Sequence, residues 1–517
     1  MRATRIISAI IGSLLLTVAN YANNIQISNA TVTGNNGTAS SLLVQFDVSW
    51  ENSWRGGGVS NWDAAWVFVK VRSNAGLWQH GRLNESGHLA PAGSAIDVGL
   101  LTPGTPFSTA TNPGIGAFIH RSTDGNGAFS LTGVELSLNY GMIGLNYNDI
   151  AEVKVFAVEM VYILQGTYAV GGVGTETGRF PLTTINTANA ISPPSGSSGY
   201  SGSPQGGYPS GVSAPSNASW PNGFSAFYCM KYELSQQAYV DFLNTLTYSQ
   251  QVTRTVSVPT SATGTGALVN PNADRNGIAI QTPGQAPALP ATYACNLDGN
   301  GVFGEPGDGK DIACNWINWR DLSAYLDWSG LRQMTELEFE KACRGTIAPV
   351  SNEFAWGDHL YPIGEYTLSN GGVAIEAIAT DYNTARGNML DNVTIGDIGG
   401  PVRVGIFASH PSSMGRMTAG STYYGCMEMS GNLNEGVVTI TYGEGFQGLH
   451  GNGELTTNGQ HDVASWLSGA SGVGRKGGSY DEEVDRALVA NRGYGNLTLD
   501  EDDRAKERGG RGVRNAP

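Results

Sequence analysis

The chain has few charged residues, and they give no sign of a polyanion-binding surface. Lys, Arg, Asp and Glu make up 14% of 517 residues, and 29 basic against 44 acidic side chains leave a net charge of −15. No run of Lys or Arg offers a footprint for phosphate groups. We therefore expect no nucleic-acid partner.

Long apolar segments are equally scarce. The one marked example, residues 6–18, follows two arginines and precedes small residues that end at Ala22. This order is typical of a secretory signal peptide, and the run is too short for a convincing membrane span. We therefore predict a signal peptide over residues 1–22, a secreted or cell-surface location and no membrane span in the mature chain.

Cysteine is rare. The chain has five, which all lie in its second part: Cys229, Cys295, Cys314, Cys343 and Cys426. In a secreted protein an odd number leaves at least one thiol unpaired. A Cys295–Cys314 disulfide would staple the loop between them, although the sequence does not fix the connectivity. A redox-active pair is the alternative, but no Cys-x-x-Cys motif is present.

Glycine and aromatic residues, by contrast, are abundant. There are 72 glycines, 11 tryptophans, 21 tyrosines and 15 phenylalanines, and the glycines follow no collagen period. This composition indicates loop-rich β structure around a substantial core.

Residues 24–156 show a hydrophobic period of two. Val44, Phe46, Val48 and Trp50 alternate with a second set of residues, and the segments 65–71 and 134–140 repeat the pattern between Gly/Asn turns. Short alternating strands without a helical stretch predict an all-β antiparallel sandwich.

Residues 157–517 predict a second, α+β domain with much irregular structure. Helices are expected over 236–246 and 321–328, and a third after the capping box formed by Thr335 and Glu338. The Ser/Pro/Gly-rich segment 190–222 is interpreted as a flexible loop inside this domain.

A series of motifs in this second part resembles the formylglycine-generating enzyme family, also called the sulfatase-modifying factor domain. The motifs that carry the resemblance are GLRQMTELEFE (330–340), FAWG (354–357), EMSGNLNE (428–435), GGSY (477–480) and GVR (512–514). Their order over some 360 residues implies the family's C-type-lectin-related α+β fold.

The resemblance also implies where oxidase chemistry would lie. In catalytic family members, two cysteines after Gly-Gly-Ser-Trp/Tyr bind copper(I), a soft ion that thiolates suit. The matching positions here are Glu482 and Ala487. We therefore expect no copper, no catalytic residue and no formylglycine-generating activity. The seven histidines are scattered and do not form the iron site of the ergothioneine-synthesis relatives, while the acidic run 481–485 is interpreted as a solvated loop rather than an acid–base site.

Structural calcium is expected instead, at two places. The resemblance implies a first site at Glu428, the carbonyls of Gly431 and Leu433, and Glu435. The family usually has Asp or Asn at the position of Glu428, so the geometry there differs.

The second place follows from the residues themselves. Its candidate ligands have the spacing of the first half of an EF-hand loop: Asn296, Asp298, Asn300 and the carbonyl of Val302. The closing position is Gly307, so Glu305 or Asp308 would have to substitute, and an ordinary Asn/Gly turn is the alternative.

Three functional hypotheses follow. The first is a non-catalytic structural or adhesive protein of the cell surface that assembles with itself or binds an extracellular glycan or protein. The second is a glycan- or peptide-binding module that uses the family groove, lined by Trp316, Trp319, Trp356 and Trp466. The third is a divergent formylglycine-generating oxidase.

Overall fold

The computed structural model describes residues 25–56, 60–188, 217–440, 445–469, 471–495 and 503–517. The predicted signal peptide at 1–22 lies outside the described residues, as does most of the predicted loop at 190–222. Within the described ranges, none of the helices has the length and apolar character that crossing a membrane requires.

The first part of the chain is built from antiparallel strands. In chain order they are β1 (Gln26–Asn36), β2 (Ser41–Gly56), β3 (Asn61–Ser73), β4 (Trp78–His80), β5 (Ser94–Leu100), β6 (Gly114–Arg121), β7 (Gly125–Asn139) and β8 (Ile150–Ile163). Strand β2 pairs with β1, with β7 and, over Arg55 and Gly56, with β3, while β3 also pairs with β4, β6 and β8. The prediction of β-rich, antiparallel structure is confirmed.

The period of two in the sequence places one face of each strand in a core. Val44, Phe46, Val48 and Trp50 of β2 are each at most 1% exposed. They pack in one cluster with Val67 of β3 and with residues of β6 and β7. Successive side chains of a strand point to opposite faces, so alternate apolar residues form a continuous buried surface.

Strand β3 contributes to two cores because both of its faces are apolar. Val67 and Val69 belong to the N-terminal cluster, whereas Trp66 and Phe68 pack in the core of the second part of the chain. The Trp66 indole donates a hydrogen bond to the carbonyl of Ser329 at 2.8 Å. The two parts of the chain are therefore joined through a shared strand.

The second part contains shorter elements. They are β9 (Tyr168–Val170), β10 (Thr183–Ile185), β11 (Phe227–Met230), α1 (Gln236–Leu243), α2 (Tyr248–Arg254), β12 (Ile278–Thr282), β13 (Thr292–Cys295), α3 (Trp319–Trp328), α4 (Glu336–Arg344), β14 (Thr367–Ser369), β15 (Ala377–Thr380), β16 (Asn434–Val438), β17 (Val473–Lys476), β18 (Arg508–Gly509) and β19 (Val513–Asn515). Strand β8 pairs with β11 and β11 with β19, so one ten-stranded sheet continues from the first part into the second. The boundary predicted at 156/157 falls inside β8, and the division into domains stays a prediction.

Polar caps set the ends of the helices. Ser235 caps α1 by accepting a hydrogen bond from the Ala238 amide. The predicted capping box of α4 is present: Thr335 accepts from the Glu338 amide at 3.2 Å, while Glu338 accepts from the Thr335 amide. The three predicted helices all form, but α2, which has its own capping box at Thr247, was not predicted.

A buried lysine ties the two parts of the chain together. The Lys231 ammonium lies 3.2 Å from a carboxylate oxygen of Asp63 on β3 and 3.0 Å from one of Glu159 on β8. It also lies 4.9 Å from the ring centroid of Trp54. Because all three charged groups are buried, removing the lysine would leave two carboxylates without a counter-charge.

Candidate functional site

The loop that follows β17 begins with two glycines in the left-handed region. Gly477 has φ 88° and Gly478 has φ 67°. A Cβ at Gly477 would lie 2.3 Å from a carboxylate oxygen of Glu435, and one at Gly478 would lie 2.8 Å from the backbone nitrogen of Ala487. The glycine pair therefore lets this loop fold back against the 428–435 turn.

Neither residue at the two implied copper positions offers a thiolate. Ala487 is 1% exposed, and its carbonyl accepts a hydrogen bond from the Ser430 hydroxyl at 2.7 Å. Glu482 is half-buried, and one of its oxygens accepts from the Asn434 amide group at 2.8 Å. A methyl group and a hydrogen-bonded carboxylate have no affinity for the soft copper(I) ion.

Two acidic residues of this loop face solvent, whereas Glu482 and Asp485 are half-buried. Asp481 and Glu483 are exposed, and Asp481 pairs with Lys506 at 2.8 Å. The Arg486 guanidinium turns inward and lies 4.3 Å from the ring centroid of Tyr494. Among the described residues, these carboxylates do not belong to a group of three acids, cysteines or histidines close enough to share a metal ion.

The five cysteines are buried, and none of them forms a disulfide. The Cys295–Cys314 disulfide expected from the sequence is therefore wrong. The Cys314 thiol donates instead to the carbonyl of Asn315 at 3.8 Å. Closeness along the chain does not place the sulfurs of Cys295 and Cys314 in bonding position. The thiols that hydrogen-bond to each other are those of Cys229 and Cys426.

The 428–435 turn, unlike the loop, is built into the core. Glu428, Glu435 and Glu233 are 2%, 0% and 3% exposed. Glu428 accepts a hydrogen bond from the Gly405 amide at 3.0 Å, and Glu233 accepts from the Leu433 amide at 2.9 Å. Three carboxylates thus lie beneath one turn.

One buried guanidinium partly compensates this charge. Arg511 is 0% exposed and donates to Glu435 Oε1 from Nε at 3.0 Å and from Nη2 at 2.7 Å. It also donates to the carbonyls of Met427 and Glu428. The charge of the buried Arg403 guanidinium also acts on Glu428, so two guanidiniums face three carboxylates at this turn.

The turn has free oxygens for a cation. Glu428 Oε2 and Glu435 Oε2 are buried and make no hydrogen bond. Burial raises the pKa of both Glu428 and Glu435 to about 7. Such oxygens are the hard ligands that Ca²⁺ prefers, so the residues present fit the ion that the resemblance implies.

Comparison with known proteins agrees with these motifs. Residues 150–516, which begin with β8, match the family described as the sulfatase-modifying factor enzyme 1-like domain. The chain belongs to this family.

Sequence relatives match over a short segment only. A formylglycine-generating enzyme of Streptomyces coelicolor is 44% identical over 50 residues, which are 10% of this chain and 15% of that protein. The Mus musculus formylglycine-generating enzyme is 40% identical over 50 residues, 13% of its length. A solved structure, Treponema denticola variable protein 1, is 11% identical, and the match covers 69% of this chain and 96% of that chain with a TM-score of 0.28.

The tryptophans proposed to line a family groove are mostly core residues. Trp319, Trp356 and Trp466 are 3%, 3% and 6% exposed, and each indole donates to a backbone carbonyl. Trp316 is half-buried and donates to Asp274 at 3.1 Å. A cavity that Trp319 and Asn434 help to line has a volume of about 10 Å³, room for no more than about one water molecule.

The second candidate cation loop, unlike the turn, lies at the surface. The Asn296 and Asn300 side-chain oxygens accept from the amides of Gly301 and Val302 at 3.3 and 2.6 Å. Asp298 is exposed and lies near the carboxylates of Glu305 and Asp308.

Sequence reasoning missed Glu233 and Arg511. Glu233 lies about 200 residues before the turn, in the Lys-Tyr-Glu-Leu-Ser segment, and Arg511 lies 76 residues after Glu435. The one available signal was a charged residue between the glycines at 510 and 512, within a segment that otherwise resembles the closing strand of the family.

Proposed function

We propose that this chain is a non-catalytic, secreted member of the sulfatase-modifying factor family with a structural or adhesive role at the cell surface. The observation that carries the proposal is the chemistry of Glu482 and Ala487. Formylglycine generation in the family needs two thiolates at these positions, and the five cysteines of the chain lie elsewhere in the core. We infer that the fold is kept and the oxidase chemistry is lost.

Copper binding tests this proposal directly. The double variant Glu482→Cys/Ala487→Cys restores both thiols, and we expect it to bind copper(I) at least about tenfold more tightly than the wild type, because soft sulfur ligands are what the site lacks. The matched control Asp481→Cys/Val484→Cys adds two thiols to the same loop outside the motif. Competition with a chromogenic copper(I) chelator measures the affinities. Equal, tight binding by the wild type would overturn the proposal.

The finer fold and the location belong to the same proposal. We infer that β1–β8 form a sandwich, that residues 157–517 have a C-type-lectin-related fold, and that residues 1–22 direct secretion. The two-faced burial of β3 supports the first inference, and the order of the family motifs supports the second. N-terminal sequencing of the mature protein tests the third, with a start near Asn23 expected.

Strand β1 supplies a surface for self-assembly. It is 11 residues long, pairs with β2 on one side, and pairs with no other strand among the described residues. It contains no charged residue and no proline, the features by which exposed edge strands usually avoid pairing with other chains, although two bulges interrupt its register. We infer that the partner at this edge is a second copy of the chain.

Electron microscopy and light scattering of the mature protein, with and without calcium, test the assembly. We expect ordered oligomers that Ser28→Lys/Thr31→Lys disperses, because lysine at an edge opposes strand addition. The control Ser86→Lys adds one lysine at an exposed position outside β1 and is expected to leave the oligomers intact. A wild type that is monomeric under every condition would contradict a structural role.

A further inference from the structure

Outside the family motifs, the surface loop between β13 and residue 311 brings three carboxylates together. One ligand oxygen from each of Asp298, Glu305 and Asp308 lies within 4.8 Å of the other two. We propose that these three carboxylates bind a Ca²⁺ ion. The proposal is independent of the function proposed above.

The decisive member of the group is Asp308. It is 3% exposed, yet its Oδ1 is buried without any hydrogen-bond partner. Its Oδ2 accepts from the amides of Gly304 and Glu305, which holds the carboxylate in place. A fixed, buried and unsatisfied carboxylate oxygen beside two further acids needs a cation or a proton.

Lys310 is exposed and lines a cavity together with Glu305 and Asp308. Among the ion pairs of the described residues, none includes Asp298, Glu305 or Asp308. Removal from water, together with the charges of Asp298 and Glu305, raises the pKa of Asp308. Repulsion among the three carboxylates opposes closure of the loop unless a cation is bound.

The ligand set favours calcium over other divalent cations. All available donors are oxygens, which excludes a preference for soft metals. The loop is irregular and contains five glycines with positive φ, at 299, 301, 304, 307 and 309. Ca²⁺ tolerates such flexible geometry with mixed carboxylate and carbonyl ligands, whereas Mg²⁺ requires a nearly ideal octahedron.

The site differs from an EF-hand in how it closes. Position 12 of the loop is Gly307, and the carboxylate comes from the next residue, Asp308. Asp308 lies against the residues that follow β13, since the Leu297 amide donates to the Asp308 carbonyl at 3.2 Å. Asn300 donates to the carboxylates of both Asp298 and Glu305 and thereby holds them together. A bound ion would clamp the loop beside residues 309 and 372, whose backbones share a hydrogen bond of 2.9 Å.

Calorimetric titration of the full chain with CaCl₂ after chelation tests the proposal. The exposed Asp298→Asn variant changes one ligand without disturbing the core, and Asp308→Asn removes the buried charge. We expect each to weaken one Ca²⁺-binding event at least about tenfold, because each removes a charged ligand. Glu85→Gln, at an exposed acidic position outside both candidate sites, is the control and is expected to keep that event.

Trypsin provides a second readout. Lys310 is exposed and is the sole lysine or arginine between residues 296 and 311. We expect Ca²⁺ to slow cleavage after Lys310 at least about tenfold in the wild type but not in Asp298→Asn, since the loop must open to be cut. A wild type without a Ca²⁺-binding event, or one that Asp298→Asn leaves unchanged, would overturn the proposal.

Discussion

The 428–435 turn and the neighbouring 481–487 loop differ sharply. The family resemblance implies calcium at the turn and copper at the positions in the loop. In the 428–435 turn, Glu428 and Glu435 are 2% and 0% exposed and hydrogen-bond to distant segments. In the 481–487 loop, Asp481 and Glu483 face solvent, and the half-buried Glu482 hydrogen-bonds to the side chains of Asn434 and Tyr494.

The turn helps to hold the fold together, whereas the loop carries the positions at which catalytic family members bind copper. The turn joins segments that are far apart in the chain, so its charges are part of the core and cannot be lost singly without cost. In the loop, Ala487 is buried and bonded to Ser430, but the side chains of Asp481 and Glu483 are exposed and can change without disturbing the core. This contrast supports the proposal that the family fold is kept here without the copper ligands.

The largest expected effect breaks the turn. Arg511→Met leaves Glu233, Glu428 and Glu435 buried without their guanidinium, and we expect the free energy of unfolding to fall by about 3–5 kcal/mol. Urea unfolding followed by fluorescence measures the change.

Arg486→Met makes the same substitution in the loop and serves as the matched control. It removes one half-exposed contact with Tyr494, which is worth about 0.5–1 kcal/mol. Equal losses of unfolding free energy in Arg511→Met and Arg486→Met would mean that the turn and the loop contribute equally to stability.

A smaller effect concerns pH. The pKa of Glu428 and Glu435 is about 7 in the folded protein, above the ordinary value of 4.5. Between these values the folded state binds more protons than the unfolded state, so stability in chelator is expected to fall as pH rises, by at most about 1.4 kcal/mol per pH unit for each group. Glu428→Gln is expected to reduce this slope. A variant with the slope of the wild type would contradict the burial of an ionisable Glu428.

The smallest expected effect lies in the loop. Glu482→Gln keeps an oxygen that can accept the hydrogen bond from Asn434, and we expect the free energy of unfolding to change by no more than about 0.5 kcal/mol. Thermal unfolding of the purified variant measures it. A loss of several kcal/mol would show that the loop is as structural as the turn.

Local patterns were predictable from the sequence. The alternation around Val44 and Phe46 predicted a half-buried strand, and Thr335 with Glu338 predicted the start of α4, because each pattern depends on neighbours a few residues apart. The family motifs likewise located the turn and the loop.

Long-range partnerships were not predictable. Nothing near Lys231 in the sequence indicates Asp63, 168 residues earlier, and nothing near Arg511 indicates Glu435. The Cys295–Cys314 pair shows the opposite error, since closeness along the chain suggested a bond that the packing does not form. Such contacts depend on how whole strands meet.

The most direct test is an activity assay of the wild-type protein with copper and a peptide that contains Cys-x-Pro-x-Arg, followed by mass spectrometry. The Streptomyces coelicolor formylglycine-generating enzyme, assayed in parallel, shows that the conditions support turnover. We expect the cysteine of the peptide to remain unchanged because Glu482 and Ala487 cannot hold copper(I). Copper-dependent formation of formylglycine would contradict the loss of the family's chemistry.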